Sequence, residues 1–145
     1  MNLLILNGSN LGRLGKRQPE IYGAMTFDEL KAECLNYAAK QGFDADFRQS
    51  DEEATIIKWL HEAADDSIPV IMNPAAFTHY SYSIRDAAAQ LTAPFIEVHL
   101  SNPAAREEFR HKSVTAGVAL GVIAGFGLKS YLMAIDAMRH HLENA

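Results

Sequence analysis

Phe43-Asp44-Ala45-Asp46-Phe47-Arg48 alternates apolar and polar side chains, the pattern of a strand with one wet face. Leu3-Leu4-Ile5-Leu6, Pro69-Val70-Ile71-Met72 and Phe95-Ile96-Glu97-Val98 are instead nearly continuous apolar runs. Such runs belong to strands covered by helices on both faces. The contrast puts residues 43–48 at a sheet edge and the other three runs inside. Helical segments separate them. Thr26 and Glu29 have capping-box spacing and open a helix over residues 26–41. Its inner stripe is Phe27, Leu30, Cys34, Leu35 and Ala38, and Gly42 is its stop. Ser50 and Glu53 repeat the box ahead of a helix to about Asp66, with Ile56, Ile57, Leu60 and Ala64 facing inward. Residues 81–91 read as the next helix. Residues 118–123 read as a fifth strand, and 127–142 as a last helix carrying Tyr131, Leu132, Ile135, Met138 and Leu142 at helical spacing.

Strands alternating with helices imply βαβ units and a parallel sheet. An edge position for the second strand fits the order 2-1-3-4-5 of a flavodoxin-like, doubly wound α/β fold. The chain has 145 residues, 48% hydrophobic and 21% charged, which suits a single domain over 1–145 and excludes a disordered or fibrous chain. The net charge of −5 argues against a nucleic-acid partner. No apolar run approaches the about 20 residues needed to cross a bilayer, so no membrane partner is expected. The first run is too short for a signal segment and no basic stretch precedes it. A single cysteine, Cys34, excludes an intrachain disulfide framework and a cysteine-based zinc cage. A cytoplasmic protein is the expectation.

Ligands of open parallel sheets bind beyond the carboxyl ends of the strands. Asn7 and Asn10 follow the first strand, Asn73 and His79 the third, and Glu97, His99 and Ser101 sit at and after the fourth. In an extended segment Glu97, His99 and Ser101 point the same way at intervals of ~7 Å. A glutamate in an apolar strand is expensive to bury unless paired. A carboxylate bonded to one ring nitrogen fixes a histidine's tautomer and favours the imidazolium, the form a general acid needs. A purely structural Glu–His pair is the alternative. The segment from Gly8 to Gly23 exceeds the about 2–6 residues usual for a βα connection. It carries Arg13, Lys16, Arg17 and Tyr22, and reads as a binding lid hinged at Gly12, Gly15 and Gly23, or as a solvated basic loop. It matches neither phosphate-loop pattern. Arg106, Arg110 and Lys112 form a second basic cluster, suited to an anion or to pairing with Glu107 and Glu108. The six histidines lack metal-ligand spacing, and no metal is expected. Two rival readings remain. One is a nucleotide- or flavin-binding module. The other is a signalling receiver, which would need acidic residues where Asn7, Asn10 and Asn73 stand.

The chain resembles the type II 3-dehydroquinate dehydratases. The matching segments are Asn7-Gly8-Ser9-Asn10-Leu11-Gly12, residues 15–23, Arg48-Gln49-Ser50, residues 73–79, Arg85-Asp86-Ala87, residues 94–102, residues 106–110, and residues 121–127 through Tyr131. They fall in the family's order along nearly the whole chain. Three positions depart from its pattern: Ser9 where proline is common, Ala75-Ala76 in place of a pair that usually includes glycine, and Tyr80 where threonine is frequent. The resemblance implies reversible dehydration of 3-dehydroquinate to 3-dehydroshikimate through an enolate, without cofactor or metal. It implies Tyr22 as the base, favoured as phenolate by Arg17 with Arg110 also close by, and His99 as the acid, oriented by Glu97. It implies Asn10 holding a water against the enolate oxygen. Asn73, His79, Ser101, Arg110 and the backbone near Leu100 would hold the substrate, with Arg106 in a structural role. Asp86 would reach a neighbouring subunit's site within a homododecamer, a tetramer of trimers.

Overall fold

Alternate residues of the first strand enter two different cores. The computed structural model describes residues 1–145. In it strand β1 (Asn2–Asn7) sends Leu3 and Ile5 to one face of the sheet and Leu4 and Leu6 to the other, all four buried. Strands β2 (Asp44–Gln49), β3 (Val70–Asn73), β4 (Phe95–His99) and β5 (Gly121–Ala124) complete a parallel sheet in the order β2-β1-β3-β4-β5. Helices α2 (Phe27–Lys40) and α5 (Leu128–Glu143) cover the Leu3 face, with Leu30, Cys34, Ala38, Tyr131, Ile135 and Met138 in its core. Helices α3 (Glu53–Asp66) and α4 (Tyr82–Ala88) cover the Leu4 face through Ile56, Leu60, Ala63, Ile84, Ala87 and Ala88. Full burial of each large aliphatic side chain stabilises by about 1.5–3 kcal/mol, which fixes the strand register from both sides.

The sheet order and the half-exposed edge strand agree with the sequence reading. Several boundaries differ, each for a local reason. Thr26 caps α2 by accepting the Glu29 N–H (3.2 Å). Ser50 does not cap α3. Its N–H still bonds Asn7 O at 3.0 Å, so the chain is extended there, and Glu52 becomes the cap residue. The Ser50 hydroxyl accepts the Glu52 N–H instead (3.0 Å). Ala63, rather than Ala64, is the buried alanine of that helix. Helix α4 ends at Ala88, and single-turn bonds carry the chain on to Leu91. The fifth strand starts at Gly121. Residues 116–118 form a 3-10 turn, while Val118 and Ala119 pack on the Leu4-face core.

The carboxyl ends of β1 and β3 are drawn tightly together. Gly8 donates to Asn73 O at 2.8 Å, and a Cβ at Gly8 would lie 2.3 Å from Pro74 O. Only glycine admits that approach. Beneath it, the wholly buried Tyr131 hydroxyl donates to Asn7 Oδ1 (2.6 Å) and accepts from Asn73 Nδ2 (3.0 Å). Asn7 also donates to Arg48 O (3.0 Å), and Asn73 Oδ1 accepts the Ala75 N–H (3.0 Å). These bonds tie three strand ends and the next loop into one support.

Candidate active site

The loops beyond this support enclose a cavity of about 160 Å³. Four segments contribute. Asn10 and Leu11 come from the β1 loop, Arg17 and Tyr22 from the lid, and Asn73, Ala75, Ala76 and His79 from the β3 end. His99 at the end of β4 and Leu100, Ser101, Arg106 and Arg110 after it complete the lining. Three guanidinium groups around one small cavity favour an anion, although the chain as a whole is acidic.

The lid is not structureless. It contains a 3-10 turn (Leu11–Arg13) and a short helix α1 (Pro19–Tyr22) that ends on the tyrosine. Of the three expected hinge glycines, Gly15 and Gly23 have positive φ (86° and 81°), whereas Gly12 does not. Arg17 lies with its guanidinium carbon 4.4 Å from the Tyr22 ring centroid, and Arg106 lies at 5.1 Å. Arg106 also donates to Ser101 Oγ at 3.1 Å, while its buried Nε has no partner. Arg106, expected in a structural role, thus lies beside the Tyr22 ring together with Arg17. No local sequence signal separates it from Arg110. The Pro103–Ala105 turn folds it back over the site.

His99 and Glu97 meet as their spacing suggests, with His99 Nε2 2.8 Å from Glu97 Oε2. Glu97 is wholly buried. Burial pushes its carboxyl up, but bonds from His99, Thr115 and Ser113 outweigh that and hold it below the ordinary carboxylate range. An ionised Glu97 makes Nε2 the donor and leaves Nδ1 to face the cavity. His79 places Nδ1 2.8 Å from Lys112 O. A carbonyl only accepts, so Nδ1 carries the proton and Nε2 is free for a ligand. Burial, and then the charges of His99 and Arg110, hold His79 below the ordinary histidine range against the opposing effect of the Lys112 bond. His79 is thus neutral at pH 7, an acceptor for a hydroxyl. The N–H groups of Leu100 and Ser101 have no partner in the chain and suit a carboxylate. Arg110 lines the cavity while donating to Glu107 (3.2 Å). Asn10, at φ 68°, is anchored through its N–H to Asp51 (2.8 Å), and its side-chain amide makes no bond within the chain.

Asp86 is not brought to this cavity. It is exposed on α4, on the side away from Ile84, Ala87 and Ala88. Ser113, Thr115 and Thr78, which surround Glu97, are absent from the sequence-based set. The buried glutamate signals that donors must exist, but not which residues supply them. No group of three or more His, Cys, Asp or Glu side chains is placed to hold a metal ion.

Ala75 has φ 54°, in the left-handed region, at the pair where the resemblance expects a glycine. Asn73 holds it there through the bond to its N–H. A non-glycine residue in this region is strained by about 1–2 kcal/mol. Ala75→Gly is expected to stabilise the protein by up to about 1 kcal/mol after the extra flexibility of unfolded glycine is subtracted. Urea unfolding would show this as a higher midpoint at unchanged slope, and a lower midpoint would contradict it.

A parallel α/β sheet with a cationic cavity, a lid tyrosine and a buried carboxylate–histidine pair at its strand ends defines an enzyme class built for proton transfer on a small anion. The comparisons make it specific. The family model of dehydroquinase class II matches residues 1–139. The 3-dehydroquinate dehydratase of Sinorhizobium medicae is 48% identical over 143 residues, covering 99% of this chain and 97% of the relative. That of Halalkalibacterium halodurans is 53% identical over 136 residues, 94% of each chain. The crystal structure of type II dehydroquinase from Propionibacterium acnes superposes with a TM-score of 0.94 at 52% identity, over 96% of each chain. The chain belongs to the class II dehydroquinase family.

Proposed function

We propose that this chain, working as one catalytic domain, dehydrates 3-dehydroquinate to 3-dehydroshikimate. The observation that carries the reading is the convergence of Tyr22, His99 and three arginines on one small cavity. Tyr22, as phenolate, takes a proton from the carbon next to the ketone. Arg17 and Arg106 bring positive charge beside the ring, 4.4 and 5.1 Å from its centroid. The electron pair passes to the ketone oxygen as an enolate. A water held by Asn10 faces that oxygen and stabilises the charge as it develops. Collapse of the enolate expels the hydroxyl, which takes the proton of His99 Nδ1 and leaves as water. His99 ends neutral and Tyr22 protonated; Tyr22 then releases its proton to solvent and His99 takes one up, which restores both. Glu97 keeps the His99 ring in place through Nε2. Arg110, Ser101 and the Leu100 and Ser101 N–H groups take the substrate carboxylate, and Asn73 and His79 take ring hydroxyls. No step draws on a cofactor or metal.

The supporting arrangement leaves Asp86 free to complete the site of a neighbouring copy, in keeping with an assembly of trimers into a dodecamer. The lone, buried Cys34 suits a reducing cytoplasm. The reaction serves either the making of aromatic compounds or quinate breakdown. Purified protein supplied with 3-dehydroquinate is expected to form the conjugated enone, followed by its ultraviolet absorbance, at the same rate with and without chelator. A folded protein that forms no enone would overturn the activity, and loss of rate in chelator would overturn the metal-free mechanism.

A further inference from the structure

Beneath the His99–Glu97 pair lies a hydroxyl cluster for which the proposed chemistry has no direct use. Thr115 donates to Glu97 Oε1, and Ser113 Oγ lies 3.1 and 3.0 Å from the two carboxylate oxygens. Thr78 Oγ1 sits behind both, 2.7 Å from Ser113 Oγ and 2.6 Å from Thr115 Oγ1. The Ala116 N–H donates to Ser113 Oγ at 3.0 Å, and Val114 N–H donates to Thr78 O at 2.7 Å. Thr78 and Thr115 are almost wholly buried, as is Glu97.

Proton accounting gives this cluster a direction. Each hydroxyl has one proton to donate. Ser113 already accepts from Ala116, and Thr78 can donate only to Ser113 or Thr115. Ser113 and Thr115, whose hydroxyls lie 3.1 Å apart, turn their own protons toward an ionised Glu97. With His99 Nε2–H, the carboxylate receives three donors and is offered no acceptor. A protonated Glu97 would turn one of those hydroxyls into an acceptor whose own proton goes to Thr78, so the carboxyl would lose a donor. Hydrogen bonds to a charged group are worth more than those to a neutral one, so the arrangement favours the carboxylate.

We propose that Thr115, backed by Ser113 and Thr78, is a positioning residue that keeps Glu97 ionised and aimed at His99 over the working pH range. The catalytic consequence rests on the reading of His99 as the acid. The surroundings contain few competing charges. Glu97 pairs with Met72 on β3 and Val122 on β5, neither titratable. His99 and His79 are the titratable groups facing it, and Arg106, Arg110, Arg17 and Tyr22 share the cavity with His99.

A carboxyl held below its ordinary range stays charged until the pH falls through its folded value. Removing one donor moves that point upward by about one pH unit, the size expected for one hydrogen bond to a charge. Thr115→Val removes the hydroxyl at nearly constant shape, and Thr115→Ser restores it. Two measurements separate the outcomes. In substrate-free protein, the infrared carbonyl band of a protonated carboxyl, assigned by its loss in Glu97→Gln, is followed as pH falls. In the presence of 3-dehydroquinate, the acid limb of kcat is followed over the same range.

The expected result is that Thr115→Val moves both the infrared titration and the acid limb up by about one unit, and that Thr115→Ser returns both close to the parent. Ser113→Ala is expected to act in the same direction. Thr115→Val protein whose Glu97 titrates where the parent's does would overturn the proposal, even with kcat lowered evenly at all pH values, because a merely structural residue behaves that way. If no variant or parent turns over 3-dehydroquinate, the proposed function fails. The infrared titration still decides the role of Thr115 in that case.

Discussion

Tyr22→Phe is expected to keep the fold and lose turnover on 3-dehydroquinate by about 10²–10⁴-fold, the usual worth of a positioned general base. The substitution removes one oxygen and leaves the ring beside the Arg17 and Arg106 guanidinium groups, whose attraction to the aromatic face persists. Substrate binding should change little, because the proposed anion contacts come from other residues. The loss should thus appear in kcat with KM nearly unchanged, the signature of an interaction made only in the transition state. Steady-state kinetics beside a thermal melt provide the check. Near-normal kcat from a folded Tyr22→Phe protein would remove Tyr22 from the mechanism.

His99→Gln is expected to lower kcat by a comparable factor, about 10²–10⁴. Glutamine has been chosen over alanine because Glu97 is wholly buried. An uncompensated buried charge destabilises by about 3–5 kcal/mol, which would confuse lost catalysis with lost folding. The glutamine amide can still donate toward Glu97 but has no proton to release to a leaving hydroxyl. A folded His99→Gln protein with parental kcat would show that the leaving group finds its proton elsewhere.

The two variants isolate parts of the site that differ in how readable they are from sequence. Glu97 and His99 are legible because a charged residue inside an apolar strand must be paired, and a spacing of two puts the partner on the same face. The sheet order is legible for a related reason: burial on one face or two leaves different patterns, as at residues 43–48 and 70–72. The hydroxyl cluster is not legible. Thr78, Ser113 and Thr115 are ordinary loop residues until the chain brings positions 35 and 37 apart together. Arg106 is hidden similarly, since only the turn at Pro103–Ala105 distinguishes it from its neighbours. Ser50 shows how a local signal loses to a longer-range one. Its capping pattern is correct, but the bond from its N–H to Asn7 O keeps the backbone extended. Ala75 is the converse case. A departure from the expected glycine survives because Asn73, fixed from below by Tyr131, holds the strained residue in place. Asp86 has no role that a single chain displays.

The division of labour between Tyr22 and His99 is tested most directly by hydrogen exchange at the carbon next to the ketone. His99→Gln protein incubated with 3-dehydroquinate in heavy water should form the enolate and return it. The substrate should gain deuterium faster than in buffer alone, with little enone appearing. Tyr22→Phe protein should leave that exchange at the background rate. Exchange catalysed by Tyr22→Phe, or none catalysed by folded His99→Gln protein that still binds substrate, would contradict the assignment of Tyr22 as base and His99 as acid.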